Sequence, residues 1–276
     1  MTRINDPSLS AIELISLTAD HLPAALALSQ AAGWPHRVED WALTLSVSKG
    51  VAAFDGGRLV GTAICSDFGP VAALNMVIVA QDRRGQGLGR KLMERVIALA
   101  PGREMRLTAT EDGLPLYCKL GFAERGHIVQ HQGQAQAMRP ERPVRFGPAD
   151  IETLATMDTA ASGLERKALL ARIAATGDTL RTDGGFALLR AFGRGHVLGP
   201  VVARDPGAAR ALISAAADRL AGRFLRIDLY NARDLSSHAE ALGLAQVGGG
   251  TTMVHSPRPP TPSDHHSYAL ISQALG

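Results

Sequence analysis

Hydrophobic and polar positions follow a regular succession of strand and helix patterns along the first 135 residues. The stretch AIELISL (residues 11–17) is typical of a strand, and a helix follows it with Thr18 at its N-cap and Gly33 at its end. The pattern then predicts a second helix over residues 38–47 and a hairpin that turns at Asp55-Gly56-Gly57. The whole predicted order is strand, two helices, three strands, helix, strand, helix, strand.

A second succession of the same kind begins after residue 143. Residues 144–161 resemble residues 14–32, because each segment joins an apolar run, a turn with an acidic residue and a helix rich in alanine. Two later stretches also match the first succession, in the same order. Three ordered matches predict two tandem copies of one fold, joined near residues 135–143, where proline and charge interrupt the pattern. A chance likeness between two ordinary α/β segments is the alternative.

Composition agrees with two folded domains. The chain has 276 residues, of which 46% are hydrophobic, and a domain usually takes roughly 100–200 residues. A net charge of +3 with few aromatics between the arginines argues against nucleic-acid binding. Neither an apolar run of about 18 residues nor a secretory signal is present, so we expect a cytoplasmic protein without a membrane span. Cys65 and Cys118 offer no disulfide framework, and no metal site is expected.

The stretch VIVAQDRRGQGLGRKLMERVIALA (residues 77–100) runs from a buried strand into a helix. A helix begins with unpaired N–H groups and a positive dipole end, so a loop just before it can bind phosphate oxygens. Gly85, Gly87 and Gly89 allow a ligand to approach the backbone closely. Four basic side chains add positive charge: Arg83, Arg84, Arg90 and Lys91. The glycines could also serve a tight turn alone, but the pattern favours a phosphate site.

Three phosphate loops can be compared with this stretch. A Walker loop is excluded, because no glycine here is followed by Lys and then Ser or Thr. A dinucleotide loop is disfavoured, because residues 80–84 separate the strand from the first glycine and position 90 is Arg. Glu111 lies near the distance of a ribose-binding acid, so a nicotinamide oxidoreductase stays open as a weaker hypothesis. Arg84, Gly87 and Gly89 satisfy the third pattern, [QR]xxGx[GA].

These residues resemble the acetyl-coenzyme A (acetyl-CoA) binding motif of the GCN5-related N-acetyltransferases, the GNAT superfamily. The later ATEDGLPLYCKLGFAER resembles that family's second signature. The resemblance implies an α/β (α+β) fold class: two tandem acyl-CoA N-acyltransferase folds, each a mixed, mainly antiparallel sheet flanked by helices. It predicts a catalytic, cofactor-binding domain over residues 1–137 and a degenerate GNAT-like domain over residues 138–256. A proline-rich linker and a short helix would follow in residues 257–276.

The family's mechanism assigns roles to particular residues. The resemblance implies that acetyl-CoA is the cofactor, bound by Val77, Ile78, Val79, Arg84, Gly85, Gln86, Gly87, Leu88, Gly89 and Arg90. Tyr117 matches the tyrosine that protonates the departing thiolate, which a phenol with a reference pKa of about 10 can do. An aromatic core residue is the alternative for Tyr117. Leu88, Leu92, Val96 and Ile97 have helical spacing and are expected in the core.

The predicted function is transfer of an acetyl group from acetyl-CoA to a primary amine by direct attack in a ternary complex. A non-catalytic acyl-CoA sensor is the alternative. The acceptor is expected to be a small molecule or a peptide amine, and a homodimer is left open. No motif marks the general base, so a water chain or one of four side chains is considered: Asp67, Glu111, Asp112 or His127.

The second copy departs from the motif. Its corner reads VVARDPGAARALI, in which Pro206 has no N–H group and Gly207 is the one glycine. Ala239 stands where the first copy has Tyr117, so this copy is predicted not to catalyse the same reaction. It resembles the degenerate C-terminal domain of some bacterial GNAT proteins, which implies that it packs against the first copy. Three residues are considered for acceptor contact: Asp228, Tyr230 and Asn231.

Overall fold

Two runs of strands and helices with the same order make up the chain. The computed structural model describes residues 12–259 and 261–276. The first run is β1 (Glu13–Leu17), α1 (Leu22–Ala31), α2 (Val38–Leu45), β2 (Ser48–Asp55), β3 (Arg58–Phe68), β4 (Val71–Val79), α3 (Leu88–Ile97), β5 (Glu104–Ala109), α4 (Leu114–Lys119) and β6 (Ala123–Gln134). The second run is β7 (Arg145–Phe146), α5 (Ile151–Ser162), α6 (Lys167–Thr176), β8 (Asp178–Thr182), β9 (Gly185–Phe192), β10 (Gly195–Ala203), α7 (Pro206–Arg219), β11 (Phe224–Tyr230), α8 (Ser236–Ala241) and β12 (Ala245–His255). The predicted order of elements and the prediction of two tandem copies are confirmed.

Local sequence accounts for several of these boundaries. The hairpin between β2 and β3 turns where predicted, because Gly56 and Gly57 adopt φ angles of 54° and 83°, which side chains disfavour. Gly33 ends the first helical segment with a φ of 79°. Ala11, at which the predicted first strand begins, lies outside the described residues. Ile12 is the first described residue, and β1 begins directly after it at Glu13.

The described strands form one 13-stranded sheet in the order β1-β2-β3-β4-β5-β12-β6-β11-β13-β10-β9-β8-β7, where β13 is His266–Ala269. The two halves exchange their last strands. The second half's β12 pairs antiparallel with β5, from Thr251↔Ala109 to His255↔Met105. The first half's β6 pairs antiparallel with β11, and β6 and β12 also pair with each other. Each half therefore completes the other's sheet. The boundaries predicted for the three segments, residues 1–137, 138–256 and 257–276, stay predictions.

The C-terminal segment differs from its prediction. The prediction of a short helix within residues 257–276 is wrong, since the described part of this segment forms β13 followed by turns. β10 and β11 pair in parallel over only three residues each, His196–Leu198 and Leu225–Ile227, and then separate. β13 lies in this gap and pairs antiparallel with both strands. Where β10 and β11 separate, their backbone N–H and C=O groups would lie unpaired in the gap. A strand can form hydrogen bonds with them and a helix cannot, so the gap favours a strand here.

Apolar cores lie on both faces of the sheet. α3 packs on one face with Leu88, Leu92 and Val96 buried as predicted, and Ile97 partly buried beside them. α1 and α2 cover the other face, where Trp41 is fully buried. A further core joins the halves, because Phe68 and Val71 of the first half pack with a set from the second that includes Leu164, Leu170, Phe186 and Ile271.

Gly133 in β6 tests the contact between the halves. A Cβ atom at this position would lie 2.3 Å from the carbonyl oxygen of Gly243. We expect Gly133→Ala to lower the free energy of unfolding by about 1–3 kcal/mol, because backbone must shift to remove the clash. Gly248 in β12 is the matched control, since a Cβ there meets nothing within 4 Å, and its Ala variant should stay within about 0.5 kcal/mol of the wild type. Equal urea midpoints for the two variants would contradict the close approach.

Candidate active site

An opening in the sheet lies between β4 and β5. These strands pair in parallel over Val71–Ala73 and Glu104–Arg106 and then separate. The register between β3 and β4 shifts at the same place, so that Met76 and Val77 face the single residue Ala63. Met76 adopts a φ of 49°, a left-handed conformation that is uncommon for a side chain of this size. This bulge interrupts the regular pairing of β4 with β3 where β4 runs without a β5 partner.

The three predicted β4 residues have different surroundings. Val77 and Val79 are partly exposed beside the core under α3, whereas Ile78 is buried with the α1 core. The backbone of β4 beyond Ala73 has no β5 partner. An extended ligand could therefore bind to the backbone edge of this strand, with Val77 and Val79 beside it.

The three glycines of the corner between β4 and α3 serve two purposes. Gly85 and Gly87 adopt φ angles of 75° and 79°, and a Cβ atom at either position would meet nothing within 4 Å. Gly87 is the N-cap of α3, and no side chain caps the first N–H groups of the helix. A Cβ at Gly89 would instead lie 3.3 Å from Leu116 Cδ2, which makes Gly89 a packing residue between α3 and α4. The corner could hold an anion at Gly85–Gly87 and the start of the helix.

The basic residues of the corner are not equivalent. Arg83 donates two hydrogen bonds to the Asp55 carboxylate at the β2–β3 turn, which raises the pKa of its guanidinium. Arg84 lies 3.4 Å from Asp112 across the mouth of the opening, with its side chain about half exposed. Arg90 and Lys91 are exposed on the first turn of α3. Gln86 donates to the Asp82 carbonyl, so it fixes the turn rather than the ligand space. Arg84, Arg90 and Lys91 therefore remain for an anion.

Tyr117 is buried at the inner end of the opening. Its side chain is 8% exposed and packs edge-on against Phe122. A Cβ at Gly113 would lie 2.8 Å from Tyr117 Cε2, so this glycine makes room for the ring. Burial raises the pKa of Tyr117 to about 12. The phenol therefore keeps its proton throughout the neutral range.

A cavity of about 400 Å³ connects Tyr117 with the second half of the chain. The first half contributes the loop before α2 with His36, the β4 bulge with Asn75, and β6 with Gln130 and Gln132. The second half contributes five polar or aromatic side chains: Phe192, Arg194, Arg226, Ser272 and Gln273. A larger cavity of about 730 Å³ lies beside it but contains neither Tyr117 nor the glycine corner.

Two buried polar atoms of the smaller cavity have no hydrogen-bond partner: Asn75 Oδ1 and His36 Nδ1. Asn75 Nδ2 donates to Ser66 Oγ at 2.9 Å and to the Ala73 carbonyl, which fixes the direction of the amide. Burial lowers the pKa of His36 to about 4, although Asp40 opposes this, so its imidazole is neutral at pH 7. Sequence reasoning missed Asn75 and His36, because no motif marks them and only the fold places them beside Tyr117.

The residues considered as general base lie elsewhere. Asp67 accepts from Arg103, Asp112 pairs with Arg84, and His127 pairs with Glu124. Glu111 is exposed, and none of the four lines the cavity that contains Tyr117, although His127 lines the larger one. Of the second-half residues considered for acceptor contact, Asp228 is fully buried and binds Arg226, and Tyr230 lines the larger cavity.

The second copy holds its own chain where the first copy is open. Asp205 caps α7 by accepting from Ala208 N at 3.0 Å, and its carboxylate also pairs with Arg142. A Cβ at Gly207 would lie 2.4 Å from Arg142 Nη2, so the space at this helix start is filled. Ala239 is fully buried, and β13 occupies the gap between β10 and β11. That this copy does not catalyse the same reaction stays a prediction.

Residues 12–259 and 261–276 contain neither a candidate membrane-spanning helix nor a cluster of metal-binding side chains. In this part of the chain no helix is long and apolar enough to cross a membrane. The same described residues contain no group of three His, Cys, Asp or Glu side chains arranged to hold a metal ion.

Known proteins with similar sequences and folds match the whole chain. The Acetyltransferase (GNAT) family profile matches residues 16–122, and the Acetyltransferase (GNAT) domain profile matches residues 154–269. A Bacillus subtilis (strain 168) protein described as "Uncharacterized N-acetyltransferase YitH" is 30% identical, over 96% of this chain and 98% of its own length.

Two solved structures show the same fold. A Pyrococcus horikoshii protein with a provisional designation as an acetyltransferase superposes with a TM-score of 0.83 at 19% identity, over 99% of this chain and 98% of that one. A tandem GNAT protein from the clavulanic acid biosynthesis pathway superposes with a TM-score of 0.61 at 15% identity, over 90% of this chain and 100% of that one. The chain therefore belongs to the GNAT acetyltransferase family and carries two GNAT domains in tandem.

Proposed function

We propose that this chain transfers an acetyl group from acetyl-CoA to a primary amine, by direct attack within a ternary complex. The observation that supports this most is the gap in the sheet between β4 and β5. Beyond Ala73 the edge of β4 has no β5 partner, and this strand runs from the cavity between the halves, which Val77 and Tyr117 line, toward the open corner at Gly85–Gly87. We propose the cytoplasm as its compartment, because Cys65 and Cys118 are free thiols.

Acetyl-CoA fits this path by shape and by charge. In the proposal its pyrophosphate lies over Gly85 and Gly87, where the N–H groups at the start of α3 and the side chains of Arg84 and Arg90 meet it. Its pantetheine arm follows the backbone of Val77, Ile78 and Val79. In the proposal an N–H group at the Met76–Val77 bulge donates to the thioester carbonyl, where negative charge develops during the reaction.

The proposed chemistry needs one acid. The amine nitrogen forms a bond to the carbonyl carbon, the C–S bond breaks, and Tyr117 Oη donates its proton to the departing sulfur. The proton that the amine loses returns through cavity water to the phenolate. A phenol with a pKa of about 12 can act here, because the thiolate forms in the same buried space and is also poorly solvated.

The amine proton is proposed to leave through water. No Asp or Glu side chain lines the cavity. His36 lines it, but a pKa of about 4 makes its imidazole a weak base. Asn75 lines the cavity, and its Oδ1 is buried without a partner. In the proposal the atoms that cover Oδ1 move aside when the amine binds, and Oδ1 then accepts a hydrogen bond that orients the nitrogen toward the thioester.

The first prediction concerns the corner. We expect Gly87→Asp to weaken acetyl-CoA binding about tenfold or more, because it places a carboxylate where the pyrophosphate is proposed. Gly222→Asp is the matched control, since Gly222 has a φ of 76° and, like Gly87, an open space beside it. Calorimetric titration of both variants gives the two dissociation constants. Equal weakening in both would mean that the corner is only a turn.

The second prediction concerns Tyr117. We expect Tyr117→Phe to lower kcat about 10²- to 10⁴-fold while the acetyl-CoA dissociation constant changes little, because the ring stays and only the acid is lost. Tyr268→Phe, a buried tyrosine of the second half, should keep the wild-type rate. Thiol release with a panel of amines measures both. Acetyl-CoA binding without thiol release for any amine would favour a non-catalytic sensor instead.

The third prediction concerns pH. Burial raises the pKa of Tyr117 to about 12, so the acid form persists below that pH and is lost only above it. The rate at saturating acetyl-CoA should therefore rise with pH as the amine deprotonates, and show no decline through about pH 10. The pH profile of thiol release checks this. A falling limb between pH 8 and 10 that vanishes in Tyr117→Phe would contradict the raised pKa.

A further inference from the structure

The lining of the cavity that contains Tyr117 carries positive charge without an acidic side chain. Its lining includes Arg194 and Arg226, and the other polar side chains near them are amides such as Gln132 and Gln273. A site for a polycationic amine would be expected to present carboxylates. This charge pattern bears on the acceptor of the proposed reaction, which the function proposed above leaves unnamed.

Arg226 is a buried side chain with donors to spare. It lies on β11 opposite Gln132 of β6, and its guanidinium stacks over the Phe192 ring at 5.3 Å. Its Nε and Nη2 donate to the Asp228 carboxylate at 3.0–3.2 Å. Its Nη1 has no acceptor among the described residues and is not sealed from solvent, although the side chain is only 10% exposed. Nη1 is therefore free to bind an anion in the cavity.

The charges near this lining add to the same effect. The Arg190 guanidinium also lies over the Phe192 ring, 4.9 Å from its centroid, and it pairs with Asp40, which Arg37 also binds. Of the two arginines that line the cavity, Arg226 is paired with Asp228, whereas Arg194 has no acidic partner among the described residues. This positive charge in the cavity lining disfavours a ligand with an additional positive charge and favours a bound anion.

The part of the cavity lining that the first half supplies suits an amine. Asn75 is 5% exposed, and its Oδ1 has no partner and lies beside the β4 bulge at Met76–Val77. A volume of about 400 Å³, part of which the thioester end of acetyl-CoA would fill, leaves space for one small molecule.

We propose that the acceptor is a small amino carboxylate, an amino acid or a close analogue, whose amine binds at Asn75 Oδ1 and whose carboxylate binds at Arg226 Nη1 and Arg194. The proposal rests on the function proposed above, since it names the substrate class of the same site. Arg194 is exposed and has no partner among the described side chains, so it can close over the carboxylate.

The test compares amino acids with their carboxamides. With acetyl-CoA and the full chain, thiol release should show a kcat/KM about tenfold or more higher for the preferred amino acid than for its carboxamide, because a charged hydrogen bond is lost. Spermidine, glucosamine and kanamycin should be poor acceptors. Equal rates for amino acid and carboxamide, or turnover of one of these three alone, would overturn the proposal.

Variants locate the carboxylate. Arg194→Gln should raise KM for the amino acid about tenfold and so reduce its preference over the carboxamide, because a charged hydrogen bond is lost. The variant should fold like the wild type, because the Arg194 side chain is exposed and has no partner among the described side chains. Arg172→Gln, an exposed arginine of α6, is the control. The double variant Arg226→Gln, Asp228→Asn removes the buried pair together, so no unpaired charge remains, and should abolish the amino-acid preference. An unchanged preference in Arg194→Gln and in the double variant would overturn the proposal.

Direct binding separates this inference from the proposed function. Calorimetric titration of the same amino acids and carboxamides into the protein, with coenzyme A present and then without it, measures their dissociation constants in the absence of turnover. Failure to bind acetyl-CoA would reject the proposed function, whereas amino-acid binding that Arg194→Gln weakens would still support the carboxylate site. Acetyl-CoA binding with no carboxylate preference would reject the inference alone.

Discussion

The pairing of β6 with β12 at the centre of the sheet determines where the residues of the site lie. These strands come from different halves, and each also pairs with the other half's last core strand, β12 with β5 and β6 with β11. Buried backbone groups must keep their hydrogen bonds, so the two halves cannot rotate against each other without breaking this ladder. The exchange holds Arg226 and Gln273 of the second half beside Tyr117 of the first.

Each half contains a gap between two diverging strands, and the halves differ in what occupies that gap. In each, a bulged strand pairs in parallel with its neighbour over three residues and then separates, β4 from β5 and β10 from β11. The first gap stays open and ends at Tyr117. The second is filled by β13, and the carboxylate of Asp205 caps the helix start beside it. The divergence of the strands thus serves ligand access in one half and packing in the other.

Sequence predicted the features that depend on near neighbours along the chain. The Gly56-Gly57 turn and the buried face of α3 are set locally. Features set by tertiary contacts were not predictable. Gly89 packs on Leu116 although it belongs to the same motif as Gly87, and Arg83 binds Asp55 while its neighbour Arg84 faces the opening.

The same limit applies to the acceptor side of the site and to the tail. Asn75 and His36 come from separate segments, and neither segment carries a motif; only the folded sheet brings their unpaired atoms into one cavity. β13 was predicted as a helix because its pairing partners, β10 and β11, lie far away in sequence. The general base could not be predicted either, since the four residues considered lie outside the cavity with Tyr117.

The charge of the cavity offers a physical reason why such a base is dispensable. An ammonium group that enters a site with an excess of arginines and poor solvation has its pKa lowered, because both factors disfavour its charged form. The lowered pKa of the His36 imidazole, caused mainly by burial and aided by Arg226 and Arg190, shows that effect on a group already in place. In the proposed complex the arginines would therefore act twice. They would attract the acceptor's carboxylate, and they would help its amine to lose a proton to water before it attacks.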